Sequence, residues 1–532
     1  MQRKMFTGRD VAEHNNKDSC WVILHGKVYD VTEFLPEHPG GQAVILKYAG
    51  KDATEGFEPI HPPGILDEVF PPPIQISFID LFFFFLFLLL FPMHRADFRE
   101  CQYLDRSKHL GEVDMSTVAV EKSFDPEEES RQQRVASRPP LGQCFNLYDF
   151  ESVAKQVVNK GTWAYYSSGA DDEITLRENH SAYHRIWFRP RVLVDVGKVD
   201  SGTTMLGSKC EVPFYVTATA LGKLGHPEGE VVLTRAAGSH GVIQMIPTLA
   251  SCSFDEIVDA KRGDQVLWLQ LYVNKDREIT KRIVQHAEER GCKGLFITVD
   301  APQLGRREKD IRTKFDGAAS DVLRYNPSVI DRSQGAARAI STFIDPSLSW
   351  KDIPYFKSIT KMPIVLKGIQ RVEDVLKAIE HDIPAVVLSN HGGRQLDTAP
   401  SGIEILAEVM PELRRRGLQD RIEVYIDGGV RRATDIIKAL CLGAKGVGVG
   451  RPFLYAMSAY GEPGVVRAMQ LLKDEFEVGM RLVGAKSVDE LGPEFVDVRG
   501  IGVHSVATPA DFLSSGVYDR LVVPEFAVKP KL

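Results

Sequence analysis

The sequence predicts an α/β protein, in which a (β/α)8 TIM barrel follows a small α+β domain. Three observations support this prediction. The chain has 532 residues, too many for one ordinary domain. Residues 5–68 alternate short apolar runs with turns, whereas from residue 145 onward eight short apolar runs alternate with helix-like stretches. With 43% hydrophobic and 26% charged residues, both parts can bury sizeable cores.

Composition and charge exclude some classes of function. The net charge of −7 and the isoelectric point near 6.1 provide no field that would hold polyanions, so we expect no nucleic acid partner. Seven scattered cysteines without a Cys-x-x-Cys motif indicate a reducing compartment. Residues 1–7 contain no signal peptide or presequence. We therefore expect a cytoplasmic protein, or one of the mitochondrial intermembrane space if an upstream presequence is missing.

The first domain, residues 5–68, is predicted to contain strands around residues 21–24 and 27–31 and a helical patch at 42–48. His38 and His61 stand in predicted loops, and each is followed by proline. Haem iron accepts two neutral imidazoles, and filling both axial positions leaves only electron transfer. The alternative is that both are ordinary surface-loop histidines.

The residues around His38 favour the haem interpretation. The run Glu37-His38-Pro39-Gly40-Gly41, preceded by Asp30-Val31-Thr32-Glu33-Phe34, resembles the cytochrome b5 family over the whole segment. This resemblance implies a bound haem b with His38 and His61 as its axial ligands.

Residues 69–102 break the composition of the chain. Three prolines precede an apolar run from Ile74 to Phe91, which only just reaches membrane-spanning length. A span would separate the haem domain from everything downstream by about 30 Å of hydrocarbon, and an electron relay within the chain would fail. The competing hypothesis is a retained intron: valine codons begin with GT, Gln102 can be encoded by CAG, phenylalanine codons are rich in T, and the reading frame is kept.

The polar residues 103–144 are predicted to be a linker without regular elements. The barrel is predicted to occupy residues 145–515, and residues 516–532 form a C-terminal tail. The eight candidate barrel strands are residues 212–216, 242–245, 266–271, 294–299, 364–366, 385–388, 422–426 and 446–449. The glycine- and serine-rich stretch 311–341 is predicted to be a surface excursion.

In such a barrel the chemistry lies where strands end and loops begin. After the last two candidate strands come Asp427-Gly428-Gly429-Val430-Arg431 and Gly448-Val449-Gly450-Arg451, which pair glycine backbone with one arginine each. Two matching arginines favour a phosphate-bearing cofactor over simple tight turns. Lys367 ends another strand, where it either forms a structural salt bridge or stabilises a cofactor that becomes anionic on reduction.

The loop after the sixth candidate strand carries His391 and, three residues later, Arg394. A base beside a carboxylate-binding guanidinium is what oxidation of a 2-hydroxy acid requires. Asp300, at the end of the fourth strand, could orient the imidazole and stabilise its charged form. Each residue alone is commonly structural, but a barrel brings all three to one rim.

These motifs identify residues 145–515 as similar to the FMN-dependent 2-hydroxy acid dehydrogenase and oxidase family. The resemblance implies His391 as the base, Asp300 as its partner, Tyr272 at the substrate hydroxyl, and Arg307 as a mobile second arginine. It also implies that Arg394 and Tyr165 bind the substrate carboxylate. The implied FMN contacts are Ala218, Thr219, Ala220, Gln270, Thr298, Lys367, Ser389, Asp427, Gly428, Gly429, Arg431, Gly450 and Arg451. Pro247 departs from the family, which usually has a flavin-contacting serine there, so this hydrogen bond is absent and cofactor affinity could suffer.

Together the two resemblances imply that a small 2-hydroxy acid is oxidised on FMN and that electrons pass through haem b to a soluble acceptor such as cytochrome c. Ala220, Leu221 and Leu249 would form a small apolar wall that suits the methyl group of lactate, although glycolate, longer 2-hydroxy acids and mandelate stay open. One rival is an oxidase that uses oxygen, and another is a non-catalytic haem-binding or sensing protein. The resemblance suggests a homotetramer.

Overall fold

The computed structural model describes residues 4–36, 38, 42–58, 108–118, 126–315 and 343–504, and the side chains of 313–315 are not described. The chain divides into two compact units, Met1–Lys122 and Ser123–Leu532. The insert at 69–102, His61 and the C-terminal tail at 516–532 lie outside the described residues.

The first unit is built on one sheet with the strand order β1-β5-β4-β3-β2. Its strands are β1 (Met5–Thr7), β2 (Asn15–Asn16), β3 (Ser19–Leu24), β4 (Lys27–Asp30) and β5 (His109–Asp114). Its helices are α1 (Gly8–Ala12), α2 (Gln42–Leu46) and α3 (Thr54–Phe57). Val22, Leu24 and Tyr29 are buried in its core because alternate strand residues point to the same face.

Strand β5 corrects the predicted domain boundaries. It lies inside the predicted linker 103–144, yet it pairs in parallel with β1 and antiparallel with β4. The first unit therefore extends well past residue 68. A helix, α4 (Pro126–Ala136), also lies in the predicted linker, where Arg131 pairs with Glu128 one turn earlier and donates to the carbonyl of Val157. Consequently, the insert at 69–102 falls between elements of one sheet.

The second unit continues with elements that precede the barrel. These are α5 (Leu147–Val157), α6 (Lys160–Ser167), α7 (Ile174–His184), β6 (Trp187–Phe188), β7 (Thr203–Met205) and β8 (Ser208–Cys210). Asn146 begins α5 by accepting hydrogen bonds from the amides of Tyr148 and Asp149. A short strand near the end of the unit, β17 (Val496–Asp497), pairs with β6.

Eight parallel strands close into a barrel. In chain order they are β9 (Phe214–Val216), β10 (Ile243–Pro247), β11 (Leu267–Leu271), β12 (Leu295–Thr298), β13 (Ile364–Ile369), β14 (Ala385–Leu388), β15 (Glu423–Asp427) and β16 (Gly446–Val449). The intervening and following helices are α8 (Glu230–Ser239), α9 (Phe254–Asp259), α10 (Arg277–Glu289), α11 (Glu308–Phe315), α12 (Ile353–Ile359), α13 (Val372–Glu380), α14 (Gly402–Arg416), α15 (Ala433–Leu442) and α16 (Arg451–Val483). The predicted (β/α)8 TIM barrel is thereby confirmed.

The barrel interior is filled by large side chains, so it is a packed core and not a channel. Tyr215, Trp268, Phe296 and Tyr425 are fully buried there, and the rings of Trp268 and Phe296 lie 4.7 Å apart. Strand residues of opposite orientation pack against the outer helices. The strands are buried on both faces, which explains why each reads as a short continuous apolar run.

The predicted surface excursion at 311–341 differs from the structure at its start, because α11 extends to Phe315. Residues 316–342 lie outside the described part of the chain. Within the described ranges, no helix has both the length and the apolar character required to cross a membrane.

Candidate active site

The carboxyl ends of the barrel strands surround a cavity. Most of the predicted substrate and cofactor residues line it. They are Tyr165, Ala218, Thr219, Ala220, Gln270, Tyr272, Thr298, Arg307, Lys367, His391, Arg394, Asp427, Gly428, Gly429, Arg431, Gly450 and Arg451. Asp300 and Ser389 lie behind this lining and hydrogen-bond to residues in it. The structure thus brings together residues that are widely separated in sequence.

His391 is held as a neutral base. Its Nδ1 lies 3.0 Å from Asp300 Oδ1, and because a carboxylate only accepts, Nδ1 carries the proton. The Nε2 atom therefore keeps its lone pair and lies 3.0 Å from the Tyr272 hydroxyl, which donates to it. Burial lowers the pKa of His391, while the charge of Asp300 opposes that effect. The arrangement presents a lone pair to the cavity with a carboxylate ready to stabilise the protonated ring.

The loop around the histidine depends on unusual backbone. His391 has a positive φ of 61°, and its amide donates to Ser389 Oγ at 3.0 Å. Gly368 has a φ of +110°, and a Cβ there would lie 2.5 Å from the Cβ of Asp300. The close approach of the dyad to strand β13 therefore requires glycine at this position.

Two arginines form a cationic wall of the cavity. Arg394 donates to the carbonyls of Tyr165 at 2.7 Å and Ser168 at 3.2 Å, and its guanidinium lies 4.9 Å from the centroid of the Tyr165 ring. Arg307 is buried, and its Nε has no hydrogen-bond partner. Burial, and then the charge of Arg394, lowers the pKa of Arg307 to about 10. A buried guanidinium next to a half-buried one favours a bound anion such as a carboxylate.

A second charged group lies at another side of the cavity. Lys367 Nζ is 2.9 Å from Asp427 Oδ2, and Ser389 Oγ donates to Asp427 Oδ1 at 2.5 Å. Burial disfavours the ammonium, but the negative charges of Asp427 and Asp300 together raise the pKa of Lys367. Thr217, which sequence reasoning missed, donates to the same carboxylate at 3.2 Å. Lys367 is thus a fixed positive charge, consistent with a cofactor that gains negative charge on reduction.

Glycines shape the loops after β15 and β16. Gly429 has a φ of +77°, and a Cβ there would lie 1.8 Å from the backbone oxygen of Asn179. Arg431, also in the first loop, is buried and paired with Glu151, with its Nε 3.1 Å from Oε2. Gly450 directly precedes α16, so the positive end of that helix faces the cavity. This backbone with two cations fits a phosphate group.

Arg451 is fixed by backbone carbonyls. It donates to the carbonyls of Tyr166, Gly392 and Ser168 at 2.8, 3.0 and 2.9 Å. Burial, followed by the charge of Arg394, lowers the pKa of Arg451 to about 10. These three acceptors are carbonyl oxygens without formal charge, so the guanidinium keeps its positive charge for an external anion.

A set of neutral hydrogen bonds connects β10, β11 and β12. The side-chain Nε2 of Gln270 donates to Thr298 Oγ1 at 2.9 Å, and its side-chain Oε1 accepts from the backbone amide of Thr248 at 3.1 Å. The Thr248 hydroxyl donates to the Gln270 carbonyl at 2.7 Å. Pro247 lines the cavity beside them and offers no hydroxyl, as the sequence indicates.

Sequence reasoning missed a buried amide pair that holds the His391 loop. Asn179 on α7 and Asn390 exchange two hydrogen bonds, each 2.8 Å long. Asn390 also accepts from the Gly393 amide at 3.0 Å. Its position directly before His391 was a usable signal. No signal marks Asn179, because it stands on a helix more than 200 residues away in sequence.

The predicted haem ligands are only partly described. The His38 amide donates to the carbonyl of Phe34 at 3.0 Å, and the two rings meet edge to face with centroids 5.7 Å apart. His61 lies outside the described residues. The axial assignment to His38 and His61 therefore stays a prediction.

Comparison with known proteins covers both units. The family described as FMN-dependent dehydrogenase matches residues 154–498, and the cytochrome b5-like haem/steroid binding domain matches residues 7–111. The chain is 55% identical over 516 residues to an L-lactate dehydrogenase (cytochrome) of Wickerhamomyces anomalus, covering 97% of this chain and 84% of the relative. The protein of the same description from Saccharomyces cerevisiae is 49% identical, with 99% and 85% covered.

A solved structure is similar to most of the chain and agrees with the family match. An arginine-to-lysine variant of flavocytochrome b2 is 52% identical, covers 76% of this chain and 100% of its own, and superposes with a TM-score of 0.66.

Proposed function

Because the chain belongs to the FMN-dependent dehydrogenase family and carries a cytochrome b5-like domain, we propose that it oxidises L-lactate to pyruvate. In this proposal electrons pass from FMN through haem b to cytochrome c. The observation that carries the proposal is the His391–Asp300 dyad, which faces the same cavity as Arg307 and Arg394. The close relatives and the matching flavocytochrome b2 structure support it.

The cavity residues fit FMN. Gly429, Arg431, Gly450 and Arg451 would hold its phosphate, and Lys367 would lie at the part of the ring system that becomes anionic. When bound, FMN supplies the acceptor for the two electrons removed from the substrate carbon. Pro247 removes a side-chain donor from this site, and we expect somewhat weaker cofactor binding than a serine would permit.

The protein residues orient the substrate and move a proton. Arg394 and Tyr165 bind the carboxylate, and Arg307 adds a second guanidinium beside it. The Tyr272 hydroxyl contacts the substrate hydroxyl. His391 accepts a proton at Nε2 while the carbon is oxidised. Asp300 stabilises the resulting imidazolium and keeps Nδ1 protonated throughout. The product leaves as a 2-keto acid.

Lactate is favoured by the size of the pocket. Of the predicted apolar wall, Ala220 and Leu249 line the cavity, whereas Leu221 does not. Leu249 packs in one cluster with Tyr272 and Ile344. This wall suits a methyl group, although one methylene changes the discrimination by only about 1–3 kcal/mol. We expect kcat/KM to be highest for L-lactate among glycolate, L-lactate, longer 2-hydroxy acids and mandelate. A higher value for glycolate or mandelate would reassign the substrate.

The final electron acceptor distinguishes the proposed dehydrogenase from an oxidase that uses oxygen. The holoenzyme is incubated with L-lactate, and reduction of cytochrome c and formation of peroxide are followed in the same preparation. Cytochrome c reduction that accounts for the pyruvate formed supports the proposal. Peroxide in equal amount to pyruvate, with cytochrome c left oxidised, would support an oxidase instead.

The homotetramer is proposed from the family resemblance, and exposed apolar side chains are consistent with an interface between chains. Val192 and Leu193 are 81% and 104% exposed, and Leu482 is 71% exposed. The two segments that carry them are adjacent, because the Arg191 amide donates to the carbonyl of Val483 at 3.0 Å. Such a patch is typical of an interface. Sedimentation analysis should give four chains per particle, and a monomer at micromolar concentration would contradict this.

The compartment is also part of the proposal. The six cysteines in the described ranges carry free thiols and are buried, the usual state in the cytosol. We propose a cytosolic location, with the mitochondrial intermembrane space as the alternative. Recovery of the protein from the mitochondrial intermembrane space after fractionation would overturn this placement.

The insert at 69–102 is proposed to be a retained intron. Its excision would join Glu68 to Tyr103, and β5 would still follow to complete the sheet of the first unit. Sequencing of the mature transcript should show these 34 codons removed. Their presence in the transcript, together with their peptides in the purified protein, would contradict the proposal.

A further inference from the structure

Glu173 and Lys309 form a buried ion pair that the proposed reaction does not use. Lys309 Nζ lies 3.5 Å from Glu173 Oε2, and the two side chains are only 5% and 3% exposed. Neither residue lines the cavity. Removing two charges from water is costly, so a buried ion pair adds little to the stability of the fold. We therefore examined whether this pair positions other residues.

Glu173 supports the turn on which Arg394 rests. Its Oε1 accepts from the Gly169 amide at 2.7 Å, and its own φ is +57°. The adjacent carbonyl of Ser168 accepts from Arg394. On the other side, the Ala170 amide donates to the carbonyl of Gly393 at 2.8 Å. The carboxylate therefore stabilises backbone that contacts the Arg394 loop twice.

Lys309 supports the segment that carries Arg307. It stands in the first turn of α11, two residues after Arg307, and the carbonyl of Arg306 accepts from the Asp171 amide at 3.0 Å. Arg307 and Arg394 line the same cavity, and two positive charges there repel each other. A separate attraction is needed to keep the two guanidinium groups at one site. The Glu173–Lys309 pair acts between the same two segments.

We propose that the Glu173–Lys309 ion pair is a positioning device that holds Arg307 beside Arg394, so that the substrate carboxylate meets both arginines. This inference rests on the proposed function. It predicts that loss of the pair weakens binding of 2-hydroxy and 2-keto carboxylates more than it slows the chemical step. Both residues are positioning residues, since they act through the arginines.

The test is the double variant Glu173→Gln/Lys309→Met, which removes both charges of the pair together. Pyruvate is titrated into the oxidised holoenzyme and followed by flavin absorbance, and kcat and KM are measured with L-lactate. The expected result is a rise of ~10-fold or more in pyruvate Kd and lactate KM, the effect of losing one charged hydrogen bond. We expect kcat to change less than about 3-fold. The single variant Lys309→Arg keeps the positive charge opposite Glu173, so its pyruvate Kd should stay close to the wild-type value.

The control is Glu462→Gln, because Glu462 forms a partly buried ion pair with Arg235 on the outer helices. This variant should keep the wild-type pyruvate Kd. A double variant with wild-type pyruvate Kd and lactate KM would overturn the inference. Should it fail to fold, Lys309→Gln carries the same test, because Glu173 then keeps its bond to Gly169 and only the Arg307 segment is released. A wild-type enzyme that neither binds pyruvate nor reacts with lactate would instead contradict the proposed function.

Discussion

At the scale of single residues, two opposing effects determine the basicity of His391. Burial favours the neutral ring, whereas Asp300, whose side chain is completely buried, favours the charged ring. Asp300 Oδ2 has no hydrogen-bond partner, so few contacts besides the imidazole offset the negative charge of this carboxylate. A base that is neutral at rest and stabilised once protonated is suited to proton abstraction.

Replacing His391 with glutamine tests this assignment. His391→Gln keeps a polar side chain but removes the base, so flavin reduction by L-lactate should slow by ~10²–10⁴-fold. Flavin and haem content, measured by absorbance, should be unchanged. Reduction of the flavin at the wild-type rate would show that another group is the base.

The pH dependence of the reaction provides a second test. The competent base is the unprotonated ring, and burial lowers its pKa below 6.5. Therefore kcat/KM should stay level as the pH falls through 6.5 and decline only at lower pH. In Asp300→Asn the charge that raises the pKa is lost, so the acid limb should move to still lower pH while the maximal rate falls by ~10²–10⁴-fold. An acid limb above pH 6.5, or one unmoved in the variant, would contradict this.

The site residues that follow barrel strands could be predicted from sequence. The distant residues that hydrogen-bond to them could not. His391, Arg394 and Asp300 stand beside recognisable strand ends, where chemistry is expected. Glu151 and Asn179 come from helices that precede the barrel, and they reach residues 280 and 211 positions away. Nothing in the local pattern of a helix indicates which distant loop it contacts.

At the scale of elements, the loop after β15 depends on its backbone. In Gly429→Ala, the new Cβ would meet the backbone oxygen of Asn179, and φ would be strained. We expect a loss of ~1–3 kcal/mol, or ~10–100-fold in FMN affinity, measured by fluorescence titration of the flavin-free protein. Gly417→Ala is the matched control, since Gly417 also has a positive φ of 67° but has open space around it. Equal FMN affinities in the two variants would refute this reading.

The eight barrel strands were predictable because burial on both faces makes each one a continuous apolar run. Strand β5 was not, because its sequence His-Leu-Gly-Glu-Val-Asp is short and polar and its partner strands lie about 80 residues or more earlier. Helix α4 was missed for a similar reason. None of its residues is buried, so it lacks an apolar face to recognise.

At the scale of the whole molecule, the account requires two redox centres on one chain. In His38→Ala an axial ligand is lost, and haem b should no longer be held in its six-coordinate form. We expect L-lactate to reduce the flavin at the wild-type rate while cytochrome c reduction falls to near zero, as followed by absorbance. Undiminished cytochrome c reduction would mean that electrons leave directly from the flavin.

The central claim is that electrons from a 2-hydroxy acid pass through both centres. The most direct test is an anaerobic titration of the purified protein with L-lactate, followed at the flavin and haem absorbance bands. We expect the flavin band to bleach and the haem band to shift to its reduced form. A flavin that stays oxidised, or a bleached flavin beside an oxidised haem, would contradict it.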